Sequence, residues 1–293
     1  MKFFYKRRRE QGFLYVLPVL VIVFFILVFP LIYNVYLSFH QSDLYSIDLS
    51  FVGLRNYYDL VRDSGFLNAF QNTLIWTFWS VFFQVLLGLV AAILLQRISY
   101  GKRIFQILIM LPWIVPGIAA AASWRWLYHP DFGIINYLMS LLGYDPVIWL
   151  GDPNLALPAV IVVNIWKMYP FAMLIVLARL QAIPSSIYEA AEIDGGNSLQ
   201  IFLRITLPMI RGVLSILTLL LTIWSFNAFT FIYAMTGGGP ARSSEILGLR
   251  IYRDALENML FGKAAAEAIF LFIIILAFSV VYLHYTYDWE EGV

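Results

Sequence analysis

Residues 181–208 read QAIPSSIYEAAEIDGGNSLQIFLRITLP and lie between two long apolar runs, 155–179 and 207–234. Pro184 and Ser186 open a helix, and Ser186-x-x-Glu189 fits a capping box, in which two side chains satisfy each other's backbone N–H groups. Ile187, Ala190, Ala191 and Ile193 fall near helical spacing. Gly195-Gly196 ends the helix, because glycine tolerates the left-handed conformation of a C-terminal cap. Asn197 or Ser198 is placed to cap a second short helix through Ile205, and Pro208 enters the next apolar run. The segment therefore predicts a helix–Gly-Gly–helix knuckle with small side chains that permit close approach.

The rest of the chain is apolar. Of 293 residues, 61% are hydrophobic, 17% aromatic and 13% charged, with a mean hydropathy of +0.79. A soluble domain carries about 25% charged residues because much of its surface faces water; this chain has half that, so much of its surface faces lipid. A net charge of +1 gives no footprint for nucleic acid. The lack of cysteine excludes disulfides, thiolate metal sites and cysteine nucleophiles.

A membrane helix needs roughly 20 apolar residues, and six stretches qualify: about 13–38, 70–96, 104–128, 155–179, 207–234 and 264–286. Backbone polar groups at that depth can be satisfied only within helices, so the expected fold is an all-α, six-span integral membrane domain filling the whole chain. Pro112, Pro116, Ser123, Arg125, Asn164 and Lys167 interrupt the third and fourth runs. The basic start, Lys6 to Arg9, precedes an apolar run too long for a signal peptide and followed by no small-x-small cleavage site, which reads as a retained anchor. Lys and Arg concentrate in the N-terminal, 97–103 and 180–206 segments, whereas 129–153 has none; 235–263 is an exception. The majority places both termini and the knuckle in the cytoplasm.

Polar residues at mid-membrane are expensive, by roughly 2.5–3.5 kcal/mol for Lys on insertion scales, and so tend to face a cavity or a partner. Asn164 and Lys167 sit near the centre of the fourth span, with Tyr169 just beyond. Trp224, Ser225 and Asn227 occupy the outer half of the fifth. These stretches hold both flat aromatic faces and amides or hydroxyls. Helix–helix hydrogen bonding explains Asn164, Ser225 and Asn227 equally well. Lys167 suits an anionic substrate, and it suits a carboxylate or backbone carbonyls of a partner at least as well. Catalytic patterns are missing: His40, His129 and His284 stand singly, there is no Walker sequence, and the Thr236-Gly-Gly-Gly-Pro240 turn lacks the Lys-Ser/Thr of a phosphate loop.

The knuckle resembles the EAA loop of importer permeases in the ATP-binding-cassette superfamily: Glu189-Ala190-Ala191, then Gly195, then Ile205-Thr206-Leu207-Pro208. Ala182-Ile183-Pro184, Asp194-Gly195-Gly196 and Phe202 are similar to the sugar-transport branch, with Gly196 for the usual Ala, which should loosen the knuckle slightly. Phe51-Val52-Gly53-Leu54-x-Asn56-Tyr57, Asn72-Thr73, Leu111-Pro112, Trp166-Lys167-x-x-Pro170-Phe171 and the Thr236 turn also match, over roughly residues 10–287. The resemblance implies a second homologous permease, two ATPase subunits that carry ATP and Mg, and an extracytoplasmic solute-binding protein. This chain would hold no cofactor and no metal, and would not be an enzyme. Glu189, Ala190, Ala191, Asp194, Gly195 and Gly196 would contact the ATPase, and Asn164, Lys167, Tyr169, Trp224, Ser225 and Asn227 would line the sugar path. The rival reading, a stand-alone secondary transporter or channel, would want ionisable relays or an internal repeat and leaves the knuckle unexplained.

Overall fold

The computed structural model describes residues 15–42 and 49–287, so the basic N-terminal cluster lies outside the described residues. The chain divides into two compact units, one running to residue 63 and including 251–272, the other 64–250 with 273 onward.

In the first unit, α1 (Tyr15–Ser38) is a 24-residue apolar helix whose large side chains are exposed, as for a surface that meets lipid or another chain. Beyond it, β1 (His40–Gln41) pairs antiparallel with β2 (Ser50–Phe51), and α2 (Arg55–Leu60) follows. The Asn56-Tyr57 pair pins the end of α1: Asn56 Nδ2 donates to Ser38 O (2.8 Å) and His40 O (3.1 Å), and Tyr57 OH donates to Ser38 Oγ (2.7 Å). Lys263 bridges Asp63 (3.2 Å) and Asp254 (3.0 Å).

The second unit opens with α3 (Ser64–Arg97), followed by α4 (Lys102–Ile114), α5 (Gly117–Leu127), α6 (Ile134–Leu141), α7 (Ala156–Gln181), α8 (Ser185–Ile193), α9 (Ser198–Phe226) and α10 (Thr230–Met235). The last helices are α11 (Leu247–Tyr252) and α12 (Phe261–Tyr287). Five helices among the described residues are long and apolar enough to cross a membrane, six if the bent pair α4 and α5 counts as one span. Helices α3 and α7 pack along each other and bury Val81, Ala92, Leu95, Ala172, Met173, Val176 and Leu180 in one cluster.

Two spans differ from expectation. The third is not one helix over 104–128: it breaks after Ile114 and turns by 92° into α5. Pro116 has no N–H to continue the ladder, and it holds Val115 extended at φ −58°, ψ 132°. Pro112, in contrast, stays inside α4. The fifth span is not 207–234 either. It starts at Ser198, continues through a π turn at Phe202–Thr206, and stops at Phe226. Asn227 closes it, and the chain resumes as α10.

The turn after α10 is tied to α3. Asn72 Nδ2 donates to Ser243 O and Glu245 O, both at 3.0 Å, and Thr73 Oγ1 accepts from Leu247 N at 2.9 Å. A buried carbonyl left without a donor costs about 1–3 kcal/mol. Asn72→Leu should therefore loosen the 236–247 segment, read as faster tryptic cleavage after Arg242 with α3 still in place. Cleavage at the wild-type rate would show that the amide does not hold the loop.

Candidate functional site

The knuckle forms by a route that the sequence gives in part. Ser186 does not cap α8. The helix begins two residues earlier than such a cap would set it, with Pro184 at the N-cap and no side-chain cap, so Ser186 lies inside the first turn and does not exchange bonds with Glu189. The C-terminal end is as expected. Gly195 sits at φ +80°, its N–H bonded to Glu192 O (3.0 Å), and Gly196 N–H reaches Ala191 O (2.9 Å), the paired bonds of a Schellman cap. A Cβ at Gly196 would lie 2.9 Å from Ala191 O, so glycine there lets the cap close tightly rather than loosening it. Asn197 then makes the capping box that Ser186 does not: its side chain accepts from Gln200 N, and Gln200 Oε1 accepts from Asn197 N, both at 2.9 Å.

The anchoring face also differs. Ile183 is buried, Ile187 and Tyr188 pack on the α3–α7 cluster, and Ile193 is 86% exposed. The outward face therefore carries Glu189, Ala190, Ile193 and Asp194, with exposed Leu199 and Leu203 beyond the turn. Helix α9 is continuous from Ser198 to Phe226, so the second helix of the knuckle is the start of a membrane-length helix.

At the other end of α9 lies an open cavity of about 260 Å³, lined by Gln84, Asn164, Met168, Leu221, Trp224 and Ser225. Thus three of the six proposed substrate residues, Asn164, Trp224 and Ser225, meet at one place. The Asn164 carboxamide has no hydrogen-bond partner among the described residues. Gln84 was missed by sequence reading. It carries the same signal as Asn164, an amide in the middle of an apolar run, and its Nε2 donates to Asn164 O at 3.4 Å.

The other three residues do not line this cavity. Lys167 Nζ donates to the carbonyls of Trp113 (2.6 Å) and Val115 (2.5 Å). Tyr169 is half-buried elsewhere on α7, and Asn227 Nδ2 turns back to Ile223 O (2.8 Å) at the helix end. The lining is accordingly uncharged. Trp76, fully buried, donates from Nε1 to Ser225 O at 3.2 Å and so fixes the end of α9 beside the cavity.

Long apolar helices, a polar cavity on them and an exposed helical knuckle between two of them define a multi-pass membrane permease. The chain belongs to the family of binding-protein-dependent transport system inner membrane components, whose model matches residues 84–287. It is 35% identical to the trehalose/maltose transport system permease protein MalF of Thermococcus litoralis, over 94% of each chain. It is 32% identical to the sn-glycerol-3-phosphate transport system permease protein UgpA of Pectobacterium atrosepticum, over 91% of this chain and 90% of that one. Its fold is that of a chain in the crystal structure of a bacterial transporter that imports the acidic polysaccharide alginate, with a TM-score of 0.85 at 23% identity over 97% and 98% of the two chains. This is an inner-membrane permease subunit and not a catalytic one; ATP hydrolysis belongs to a separate subunit. The secondary-transporter reading falls away.

Proposed function

We propose that this chain is one of two homologous permeases of an importer for an uncharged di- or oligosaccharide. The observation that carries the reading is the cavity: a free carboxamide on Asn164, with Gln84, Ser225 and the half-exposed face of Trp224, and no charged side chain in the lining. Such a surface suits alcohols and C–H faces and gives no counter-ion to a phosphate. The trehalose/maltose relative agrees with it; the glycerol-phosphate relative marks the alternative that the uncharged lining disfavours.

In this reading a loaded solute-binding protein docks on the outer segments, and two cytoplasmic ATP-binding-cassette subunits, which hold ATP and Mg, grip the knuckle. Glu189 is the polar partner of a basic group on the ATPase, and Ala190 and Ala191 let the surfaces approach. Asp194, Gly195 and Gly196 form the bend. Both termini lie on the knuckle's side of the membrane.

The test is uptake by the assembled importer in vesicles, with neutral disaccharides against glycerol phosphate. Neutral sugar uptake should dominate. Asn164→Ala and Ser225→Ala should each raise KM about two- to tenfold, the loss of one hydrogen bond of about 0.5–1.5 kcal/mol, with assembly intact. Preferential uptake of the phosphorylated solute, or unchanged kinetics in both variants, would count against the reading.

A further inference from the structure

Lys167 stands where a charge is hardest to place, in the interior of a membrane helix, and yet it lines no part of the cavity. Both of its bonds go to the break in the third span, to the carbonyls of Trp113 and Val115. The break releases these carbonyls because the chain bends away by 92°, so the N–H groups of Gly117 and Ala119, which a continuous helix would bring back to them, point elsewhere. Within a lipid-surrounded helix such groups must find an internal donor. An ammonium on a long stem, with three donors, reaches them from α7.

The same residue of α4 is held a second time. The Trp113 ring stacks on Phe171, one turn beyond Lys167 on α7, with centroids 5.7 Å apart and planes at 22°. Phe171 in turn meets Trp224 at 5.2 Å, and Trp224 is a wall of the cavity. Backbone and ring of Trp113 are thus both fixed by α7, and a chain of three aromatic rings runs from the break to the cavity wall.

We infer that Lys167 is a positioning residue for the cavity: by closing the break in the third span it holds Trp113 on Phe171 and thereby sets the place of Trp224. The charge is retained for geometry and not for a counter-ion on the cargo. A neutral residue of similar length leaves two carbonyls unpaired, so α4 shifts, and Phe171 and Trp224 relax with it. The inference uses the sugar reading only in one of its two readouts.

The first readout is independent of the cargo. The chain has no cysteine, so Met168→Cys places a single thiol on the cavity wall, and a maleimide mass tag reports it as a gel shift of this chain alone. In the assembled importer, adding Lys167→Met should change the tagging rate about fivefold or more, and Lys167→Arg, a cation of similar reach, should keep it within about twofold of the lysine form. In the second readout, with the native Met168, Lys167→Met should raise KM for sugar about tenfold with Vmax per assembled transporter little changed, and Lys167→Arg should restore it. An unchanged tagging rate overturns the inference. So does a loss of assembled transporter with KM untouched, the signature of structural support alone. If the wild-type importer moves no sugar, the sugar reading fails and the tagging rate decides this inference by itself.

Discussion

Glu189→Lys combined with Gly195→Pro should abolish uptake and uncouple the ATPase while the chain still inserts and assembles in the membrane. Gly195 holds φ at +80°, a region that an L-residue enters at roughly 1–2 kcal/mol and that proline, locked near −65°, cannot enter. Proline also deletes the N–H that bonds Glu192 O, and with the turn displaced, the Gly196 N–H no longer reaches Ala191 O. The Schellman cap is lost, and the direction from α8 into α9 with it. Steric crowding is not the reason, since a Cβ at Gly195 would meet nothing within 4 Å; the effect is one of backbone conformation.

The charge reversal acts on the same face. Glu189 is exposed beside Ala190 and Ile193, so a lysine there changes what a partner meets without disturbing the packing of Ile183, Ile187 and Tyr188. Insertion depends on the apolar helices, which neither substitution touches. Uptake and ATPase assays on vesicles containing equal amounts of the assembled importer decide the matter. Normal sugar uptake by the double variant would remove the knuckle from the coupling mechanism.

The features legible in the sequence are those decided within a few residues. Apolar runs of sufficient length announce α1, α3, α7, α9 and α12, because lipid leaves the backbone no alternative to a helix. The Gly195 cap and the Asn197 cap are local in the same sense. The alternative start at Ser186 fails because Pro184, with ψ at 135°, already begins the helix. Features set by distant partners were not legible. Two prolines interrupt the third run, and only Pro116 breaks it, at a place where Lys167, some fifty residues onward, supplies donors for the freed carbonyls. The fifth span ends at Phe226 with no glycine or proline at the stop. Trp76, 149 residues earlier, donates to Ser225 O there. The cavity falls between these cases. Asn164 and Ser225 were visible as costly polar groups, and Gln84 was equally visible in principle, but only the packing of α3 on α7 brings it to them.

That packing includes a close approach of α7 to Gly88, and Gly88→Val should be strongly damaging. A Cβ at this position would lie 2.6 Å from Ala172 Cβ, 2.8 Å from Met173 N and 3.0 Å from Ala172 C. Two of these atoms are backbone of α7 and cannot rotate away, so the helices must separate. Membrane helices gain no hydrophobic advantage over lipid by associating, and close backbone approach at small residues is what holds them. Overpacking a tight core costs about 1–3 kcal/mol, and here the separation would also open the contacts of Ala92, Ala172, Met173 and Val176, all fully buried. Gln84 lies one turn from Gly88 on α3, and its bond to Asn164 O already spans 3.4 Å; a further shift breaks it and splits the cavity lining. Gly117→Ala is the matched control, since its Cβ would meet only Thr230 Cγ2 at an ordinary 3.5 Å. Thermal unfolding of the detergent-solubilised assembly should show Gly88→Val strongly destabilised, with sugar binding lost, and Gly117→Ala near wild type. Equal stability of the two variants would mean that α3 and α7 do not approach as closely at Gly88 as described, and the account of the cavity that depends on their approach would fall with it.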